Sequence, residues 1–355
     1  MLGFALVGCG RIARKHAGNL GEGKIPGAKL VAVCDIKEDR AKFYGEKYDV
    51  PWYTDMHKMM ETENENIDVL DILTPSGDHA NNTVELAPYG KHIIVEKPMA
   101  LTLQDADRMI AACDKAGIKL FVVKQNRLNT PVKKLREALE ADRFGKMVLG
   151  TVRVRWCRDQ AYYDQDEWRG TWEHDGGCFA NQAIHHVDLL QWMMGPVESV
   201  FAKSATRLVN IEAEDTGVVI LKFTSGALGV IEATTATRPK DLEGSISILG
   251  ETGTVEIGGF AVNEMKTWNF LDESETDKEE VLSKYKQNPP DVYGFGHTEY
   301  LSNVVETITG KKEALVDGLA GRKSLELIAA IYESIETGKE VNVNFVPQKC
   351  RLGLK

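Results

Sequence analysis

Cysteine is sparse and scattered. The six residues Cys9, Cys34, Cys113, Cys157, Cys178 and Cys350 never stand in Cys-x-x-Cys spacing. A zinc or dithiol motif is therefore excluded, and reduced thiols are expected. No apolar run reaches the ~18 residues that would suggest a membrane span. Met1–Val7 enters a strand pattern without the basic flank or cleavage site of a secretory signal, so a cytoplasmic, membrane-free protein is expected. Basic charge is in deficit: 43 Lys and Arg against 53 Asp and Glu give a net charge of −10, which argues against a nucleic-acid partner. With 43% hydrophobic and 27% charged residues the chain is not disordered, and its 355 residues suggest two domains at roughly 150 each.

What is present has two grammars. Up to residue 124, β-rich runs (Phe4–Val7, Lys29–Cys34, Val69–Leu73, His92–Val95, Leu120–Val123) alternate with amphipathic stretches. Leu103–Ala116 is the clearest helix, with Thr102 placed to cap it and Gly117 to end it. Alternating β and α predicts a doubly wound parallel sheet, because parallel strands need crossover connections. Beyond it, after a helix at Pro131–Glu140, period-two strands are expected at Thr151–Trp156, Val200–Ala205, Thr216–Phe223, Ala227–Thr234 and Gly244–Leu249. They predict an α+β domain with a large, mostly antiparallel open sheet over residues 125–345. Asp272–Asp291, acidic and ending in Pro289-Pro290, reads as a surface loop. Arg322–Glu336 reads as a final helix able to pack on either domain. The Met59-Met60 and Met193-Met194 pairs read as core filling.

Gly8-Cys9-Gly10-Arg11-Ile12-Ala13 follows the first strand and opens a helix, in the pattern Gly-x-Gly-x-x-Ala. Gly8 permits the tight turn, Gly10 lets backbone N–H groups approach a pyrophosphate, and Ala13 keeps helix and sheet close. Asp35 ends the second strand, where a carboxylate accepts ribose hydroxyls and repels a 2′-phosphate; NAD is favoured over NADP, while Lys37 and Arg40 keep NADP open. Glu96-Lys97-Pro98 closes another strand at its carboxyl end, where such sheets place ligands. On spacing alone Lys97 is only a surface lysine. In Asp175–Leu190, helical from about Phe179, Asn181 and His185 stack at i, i+4 behind Gly176-Gly177, while His186 points away. A lone histidine there is more often structural than catalytic.

Taken in order, Gly8–Ala13, Glu96-Lys97-Pro98 and Gly176-Gly177 with His185 resemble the Gfo/Idh/MocA oxidoreductase superfamily over essentially the whole chain. Thr74–His79 and Val123–Arg127 sit where that family has its cofactor loops. Phe121–Arg127, Trp168–Glu173, Asn181-Gln182, Gly195–Ser199, Asn210–Gly217, Leu242–Ser245 and Val292–His297 further resemble its WlbA/WbpB-type UDP-N-acetyl-2-amino-2-deoxyglucuronate dehydrogenases. The resemblance implies oxidation of the 3-hydroxyl of UDP-N-acetylglucosaminuronic acid by NAD, early in a bacterial route to diacetamido-uronic acids of surface polysaccharide. It implies an NAD-binding Rossmann domain at 1–124 and a substrate and oligomerisation domain at 125–345. A homotetramer is implied as well, formed by paired open sheet faces that would cover the apolar side of Thr151–Trp156. It leaves open whether NADH leaves or is recycled with 2-oxoglutarate.

On this footing the catalytic residues are Lys97 and His185. An imidazole, with an ordinary pKa near 6.5, suits a base at neutral pH; Lys97 as base would need its pKa lowered by about 3 units, roughly 4 kcal/mol. Lys97 is therefore assigned to alkoxide stabilisation, although the sequence leaves the choice of base open. Expected cofactor contacts are Gly8, Gly10, Arg11, Ile12, Asp35, Thr74, Pro75, His79, Glu96, Lys97 and Gln125. Expected substrate contacts are Lys97, Arg158, Tyr162, Tyr163, Trp168, Arg169, Thr171, Asn181, Gln182, His185, Lys240 and His297. Asn181 stands where many members carry Asp; it orients by hydrogen bonding but is not a base. Arg153 and Arg155 share a strand face suited to a surface or subunit contact. No metal is expected, since His16, His57, His92 and His174 lack ligand spacing and are read as structural. Rival readings are an inositol or simple sugar dehydrogenase and a non-catalytic NAD sensor.

Overall fold

The computed structural model describes residues 1–272, 274–286, 294–343 and 352–353. Cys350, Pro289, Pro290, Val292 and Tyr293 lie outside the described residues. The chain divides into two compact units, Met1–Lys124 with His297–Arg322, and Gln125–Gly296 with Lys323–Lys355. Segment 297–322 thus returns to the first unit rather than continuing a second span.

In chain order the elements are β1 Leu2–Val7, α1 Ala13–Gly21, β2 Ala28–Cys34, α2 Glu38–Tyr48, β3 Trp52–Tyr53, α3 Met56–Glu63, β4 Val69–Ile72, α4 His79–Leu86, β5 His92–Val95, α5 Leu103–Ala116 and β6 Leu120–Val122. Then follow α6 Thr130–Glu140, β7 Met147–Arg155, α7 Gln160–Tyr163, α8 Ile184–Met194, β8 Val197–Ala205, β9 Thr216–Phe223, β10 Leu228–Thr234, β11 Glu243–Gly250, β12 Gly253–Gly258, β13 Glu264–Phe270, α9 Glu275–Lys284, α10 Gly296–Ile308, α11 Gly318–Thr337 and β14 Val341–Asn342.

The first sheet has the order β3-β2-β1-β4-β5-β6, all parallel, with the order reversing between β1 and β4. Phe4, Ala5 and Leu6 are fully buried, as strands covered on both faces require. α5 has its expected bounds: Thr102 Oγ1 accepts the Asp105 N–H at 3.1 Å, and Gly117 closes it at φ +67°. The returning segment covers the sheet edge, where Val122 N–H donates to Val316 O at 3.1 Å.

The second sheet runs β13-β12-β11-β7-β10-β9-β8-β14 and is antiparallel except for β7–β10. α8 packs on β7, and Gly150 permits it, because a Cβ there would fall 2.7 Å from Met194 Cγ and 2.8 Å from Leu190 Cδ1. One expectation is corrected here. The apolar side of Thr151–Trp156 needs no neighbouring subunit, since Val152 and Val154 are buried within the unit (0% and 1% exposed). The opposite face is the open one. Its register sets Phe201 beside Ile220 and Ile220 beside Val230, with Val218 and Ile220 about half exposed. Farther across, Arg155 pairs with Glu232 (2.7 Å) and Glu243 (3.3 Å), and Arg153 with Glu243 (3.3 Å) and Glu256 (3.1 Å). Both arginines therefore serve ion pairs between strands of the same chain.

Asp272–Asp291 is not a continuous loop. Ser274 Oγ accepts the Asp277 N–H at 3.2 Å and starts α9, which buries none of its residues and so shows no apolar stripe to read. Residues 287–291 of that stretch lie outside the described ones. The final helix starts at Gly318, before the expected Arg322, and contributes to both units. The five described cysteines are free thiols, and no helix among the described residues is long and apolar enough to cross a membrane.

Candidate cofactor and substrate sites

In the first unit, β1 delivers the chain into the glycine turn. Gly8 sits at φ +104°, and a Cβ there would fall 2.6 Å from the Leu73 carbonyl carbon, so β1 and β4 tolerate only glycine. A Cβ on Gly10 would meet nothing within 4 Å, leaving room for a phosphate against the backbone. Ile12 provides no side-chain cap to α1, so no side-chain oxygen occupies the amino end of the helix. Asp35 accepts Cys9 N–H at 2.7 Å and Lys37 N–H at 2.8 Å, which points its carboxylate and ties the second strand to the turn. Each oxygen keeps a lone pair for a ribose hydroxyl. Ile36, 88% exposed beside Asp35, offers an apolar face that sequence reasoning missed. Its only signal was its place after the carboxylate. Arg11 is exposed, and Thr74 and Pro75 are half-buried.

The other expected cofactor contacts are internal. His79 is 1% exposed, with Nδ1 2.8 Å from Pro98 O and Nε2 2.9 Å from Thr74 O. It straps the Thr74-Pro75 turn to the Lys97-Pro98 turn instead of facing a ligand. Glu96 is 5% exposed and accepts Lys97 N–H at 2.9 Å. His297, expected at the sugar nucleotide, is 3% exposed, with Nε2 3.6 Å from Glu96 Oε1, and burial lowers its pKa. Lys97 itself is half-buried at the end of β5.

In the second unit a π-helical turn, Cys178–Gln182, precedes α8, so the regular i, i+4 stacking expected for Asn181 and His185 does not hold. Asn181 Nδ2 donates to Asp175 Oδ1, and its Oδ1 accepts Gln182 Nε2 at 2.9 Å. Gln182 also donates to Tyr162 Oη (3.0 Å) and accepts Arg158 Nε (3.1 Å). Arg158 reaches Asp241 at 3.0 Å, and Arg169 donates to Tyr162 Oη at 2.9 Å. The Arg169 guanidinium lies over the rings of Tyr162 and Trp168, 4.7 and 4.6 Å from their centroids. One network thus joins Arg158, Tyr162, Arg169, Asn181 and Gln182. Asp175 and Asp241, which aim it, were not singled out; only Asp175 carried a signal, preceding Gly176-Gly177.

Other expected contacts are placed differently. Tyr163 is 6% exposed, shares a 3.2 Å hydrogen bond with Thr235 and supports Tyr162 edge-on. Thr171 spends its hydroxyl on Trp168 O at 2.7 Å, within its own turn, and Lys240 is exposed. A cavity of about 390 Å³ borders this loop, but Asp164, Asp166, Glu167 and Glu212 outnumber Arg169 in its lining, a setting that repels a diphosphate.

His185 is 7% exposed, with Nε2 3.2 Å from Gln125 Nε2. The 125–128 turn is locked to α8 because Arg127 holds Asp188 through two bonds of 2.8 and 2.9 Å. His186 faces the core, edge-on to Trp156, and burial lowers its pKa to about 3, so it is neutral.

Beneath the π turn, Glu214 Oε1 accepts Phe179 N–H and Tyr332 Oη–H, both at 2.9 Å. A Cβ on Gly177 would land 2.1 Å from Glu214 Oε2. Burial raises the Glu214 pKa from 4.5 to about 7, so the folded state holds this proton more tightly than the unfolded chain. Its stabilising share is present below pH 4.5 and is lost as the pH rises through about 7. Chemical denaturation of wild-type and Glu214→Gln protein is expected to show a decline in stability across that window for the wild type and a flatter curve for the variant.

Comparison with known proteins now decides the family. Residues 2–124 match the family model described as oxidoreductase family, NAD-binding Rossmann fold, and residues 136–343 match that of its C-terminal α/β domain. The chain belongs to the Gfo/Idh/MocA oxidoreductase family. Its cofactor is NAD, which Gly10, the uncapped start of α1 and Asp35 fit. Among Gfo/Idh/MocA relatives, myo-inositol 2-dehydrogenase from Thermotoga maritima is 32% identical over 97% of this chain and 99% of its own. WlbA dehydrogenase from Bordetella pertussis, solved with NADH and UDP-GlcNAcA, is 42% identical with a TM-score of 0.87, covering 97% of this chain and 99% of that one. WlbA dehydrogenase from Chromobacterium violaceum, also solved with NADH and UDP-GlcNAcA, is 44% identical with a TM-score of 0.90, covering 97% and 96%.

Proposed function

We propose that the chain oxidises the 3-hydroxyl of UDP-N-acetylglucosaminuronic acid, producing the 3-keto sugar nucleotide and NADH, in a cytoplasmic route to surface polysaccharide. The observation that carries this reading is 42–44% identity along 97% of the chain to two dehydrogenases solved with NADH and UDP-GlcNAcA. The network around Arg158, Tyr162 and Arg169 supports it by holding Gln182, and through it Asn181, in fixed positions for the sugar.

When bound, NAD supplies the acceptor for the hydride leaving the sugar carbon. His185 takes the hydroxyl proton. Lys97 stabilises the developing alkoxide as a cation. Asn181 and Gln182 orient the sugar, and Asp35 selects the unphosphorylated ribose.

One assay tests the reading. Enzyme, NAD and UDP-N-acetylglucosaminuronic acid are incubated with and without 2-oxoglutarate, following both NADH and the 3-keto product. Product formation is expected, and 2-oxoglutarate reveals an enzyme that recycles its NADH in place. The relation to myo-inositol 2-dehydrogenase supplies the rival: turnover of inositol or a free sugar, with none on the nucleotide sugar, would replace the proposal, and NAD binding without any turnover would make the chain a sensor.

The open sheet face pairs with second copies to form a homotetramer. Ile220, 55% exposed in the row between Phe201 and Val230, is the test position. Ile220→Asp is expected to lower the mass measured by light scattering, and an unchanged mass assigns the subunit contact elsewhere.

A further inference from the structure

His16 lies on α1, fully buried. Its Nδ1 is 2.6 Å from Asp71 Oδ2 at the end of β4, and its Nε2 is 3.1 Å from Glu96 Oε1, just after β5. An ionised carboxylate only accepts hydrogen bonds, so both ring nitrogens must donate, and only an imidazolium carries two N–H groups. Glu96 acts as an acceptor on its other oxygen too, taking Lys97 N–H at 2.9 Å. The electrostatics agree with the geometry. Burial opposes the charge on His16, but Asp71 and Glu96 overcome it and raise its pKa to about 10. Burial opposes the charge on Glu96 as well, yet the hydrogen bond from His16 and the nearby His297 hold its carboxyl well below the usual range.

We propose that His16 is a positioning residue for the oxidation, fixing the backbone that carries Lys97 through a buried Asp71–His16–Glu96 ion triad. This rests on the role given to Lys97 above. The three partners come from the helix that follows the glycine turn, from the strand leading to Thr74-Pro75, and from the turn between β5 and Lys97. On the other side of Lys97, Pro98 O is held by His79. Lys97 is thereby flanked in sequence by two residues, each anchored by a buried histidine, so the root of its side chain is set before any substrate arrives. Other ionisable groups acting on the triad are His297 of α10, in edge contact with His16 (5.3 Å between ring centres), and Lys15 of α1, which acts on His297.

His16, Glu96 and His297 also form a trio of metal-capable side chains, with donor atoms within 4.8 Å of one another. The sequence spacing could not show it. An imidazolium has no lone pair for a metal, so the triad and a metal centre exclude one another.

The test uses full-length enzyme. Nitrogen-15 NMR of histidine-labelled protein, with the His16 signals assigned by their loss in His16→Gln, is expected to show both His16 nitrogens protonated and unchanged from pH 6 to 9. A neutral tautomer, titration inside that range, or stoichiometric zinc in the purified protein overturns the proposal. In turnover, His16→Gln is expected to lower kcat about 10–100-fold, with the KM for NAD within about threefold of wild type. Adding Glu96→Gln should cost little more, because both changes break one unit. Asp71→Asn keeps an acceptor at nearly the same shape and tests the case in which His16→Gln does not fold. It is expected to give kcat a new falling limb at alkaline pH, as His16 loses its proton. Wild-type kcat and pH profile in Asp71→Asn, or kcat within twofold of wild type in His16→Gln, overturns the proposal. Failure of the wild-type enzyme to oxidise the sugar nucleotide instead overturns the proposed function and leaves the NMR result to stand on its own.

Discussion

Lys97→Met enzyme is expected to bind NAD as the wild type does and to turn over about 10²–10³-fold more slowly, the usual loss when one donor to a developing oxyanion is removed. The substitution keeps the length of the side chain and removes its charge. It leaves the backbone N–H that Glu96 accepts, so the turn after β5 keeps its anchor. Stopped-flow measurement of the hydride step separates this from slow product release. A Lys97→Met enzyme with near-normal turnover and an unchanged pH profile would remove the residue from the mechanism.

His185→Asn is expected to lower kcat about 10²–10⁴-fold, the range for a positioned general base, with a second signature in the pH profile. Wild-type kcat/KM should rise as an imidazole loses its proton and then level off; in the variant that limb should disappear. If the limb survives, the base is elsewhere and Lys97 becomes the candidate. Asparagine retains a polar group beside Gln125, and Arg127 still holds Asp188, so α8 keeps its position on the 125–128 turn. A loss of activity in this variant is thus a loss of proton transfer.

The parts of the fold visible in the sequence were those governed by local rules. α5 could be bounded to the residue because a cap, an apolar stripe and a terminating glycine agree over Thr102–Gly117. β3 could not, since two residues, Trp52 and Tyr53, show no period. α9 buries nothing, so periodicity had nothing to report and acidity suggested a loop. The glycine turn and Asp35 were legible because phosphate and ribose recognition demand residue types at short, regular spacing. Asn181 and Gln182 were named from resemblance, Arg158, Tyr162 and Arg169 as local partners for an anionic substrate, and the structure joins them in one network. The π turn was invisible, because it comes from Glu214 and Tyr332 packing beneath Gly177, residues far apart in the chain. His79 and His297 were read as ligand-facing for a related reason: a sequence shows which side chains can bond, while the direction they face depends on strands that meet only after folding.

The return of residues 297–322 to the first unit bears on how the protein is made. β6 receives its edge partner from Val316 and Asp317, and His297 joins Glu96 in the interior. A ribosome that has just released residue 124 has produced every strand of the parallel sheet, yet neither the edge cover nor His297. The nucleotide-binding half therefore completes itself only once some two hundred further residues have emerged, and a fragment cut after the last parallel strand would be an unfinished body rather than a portable module.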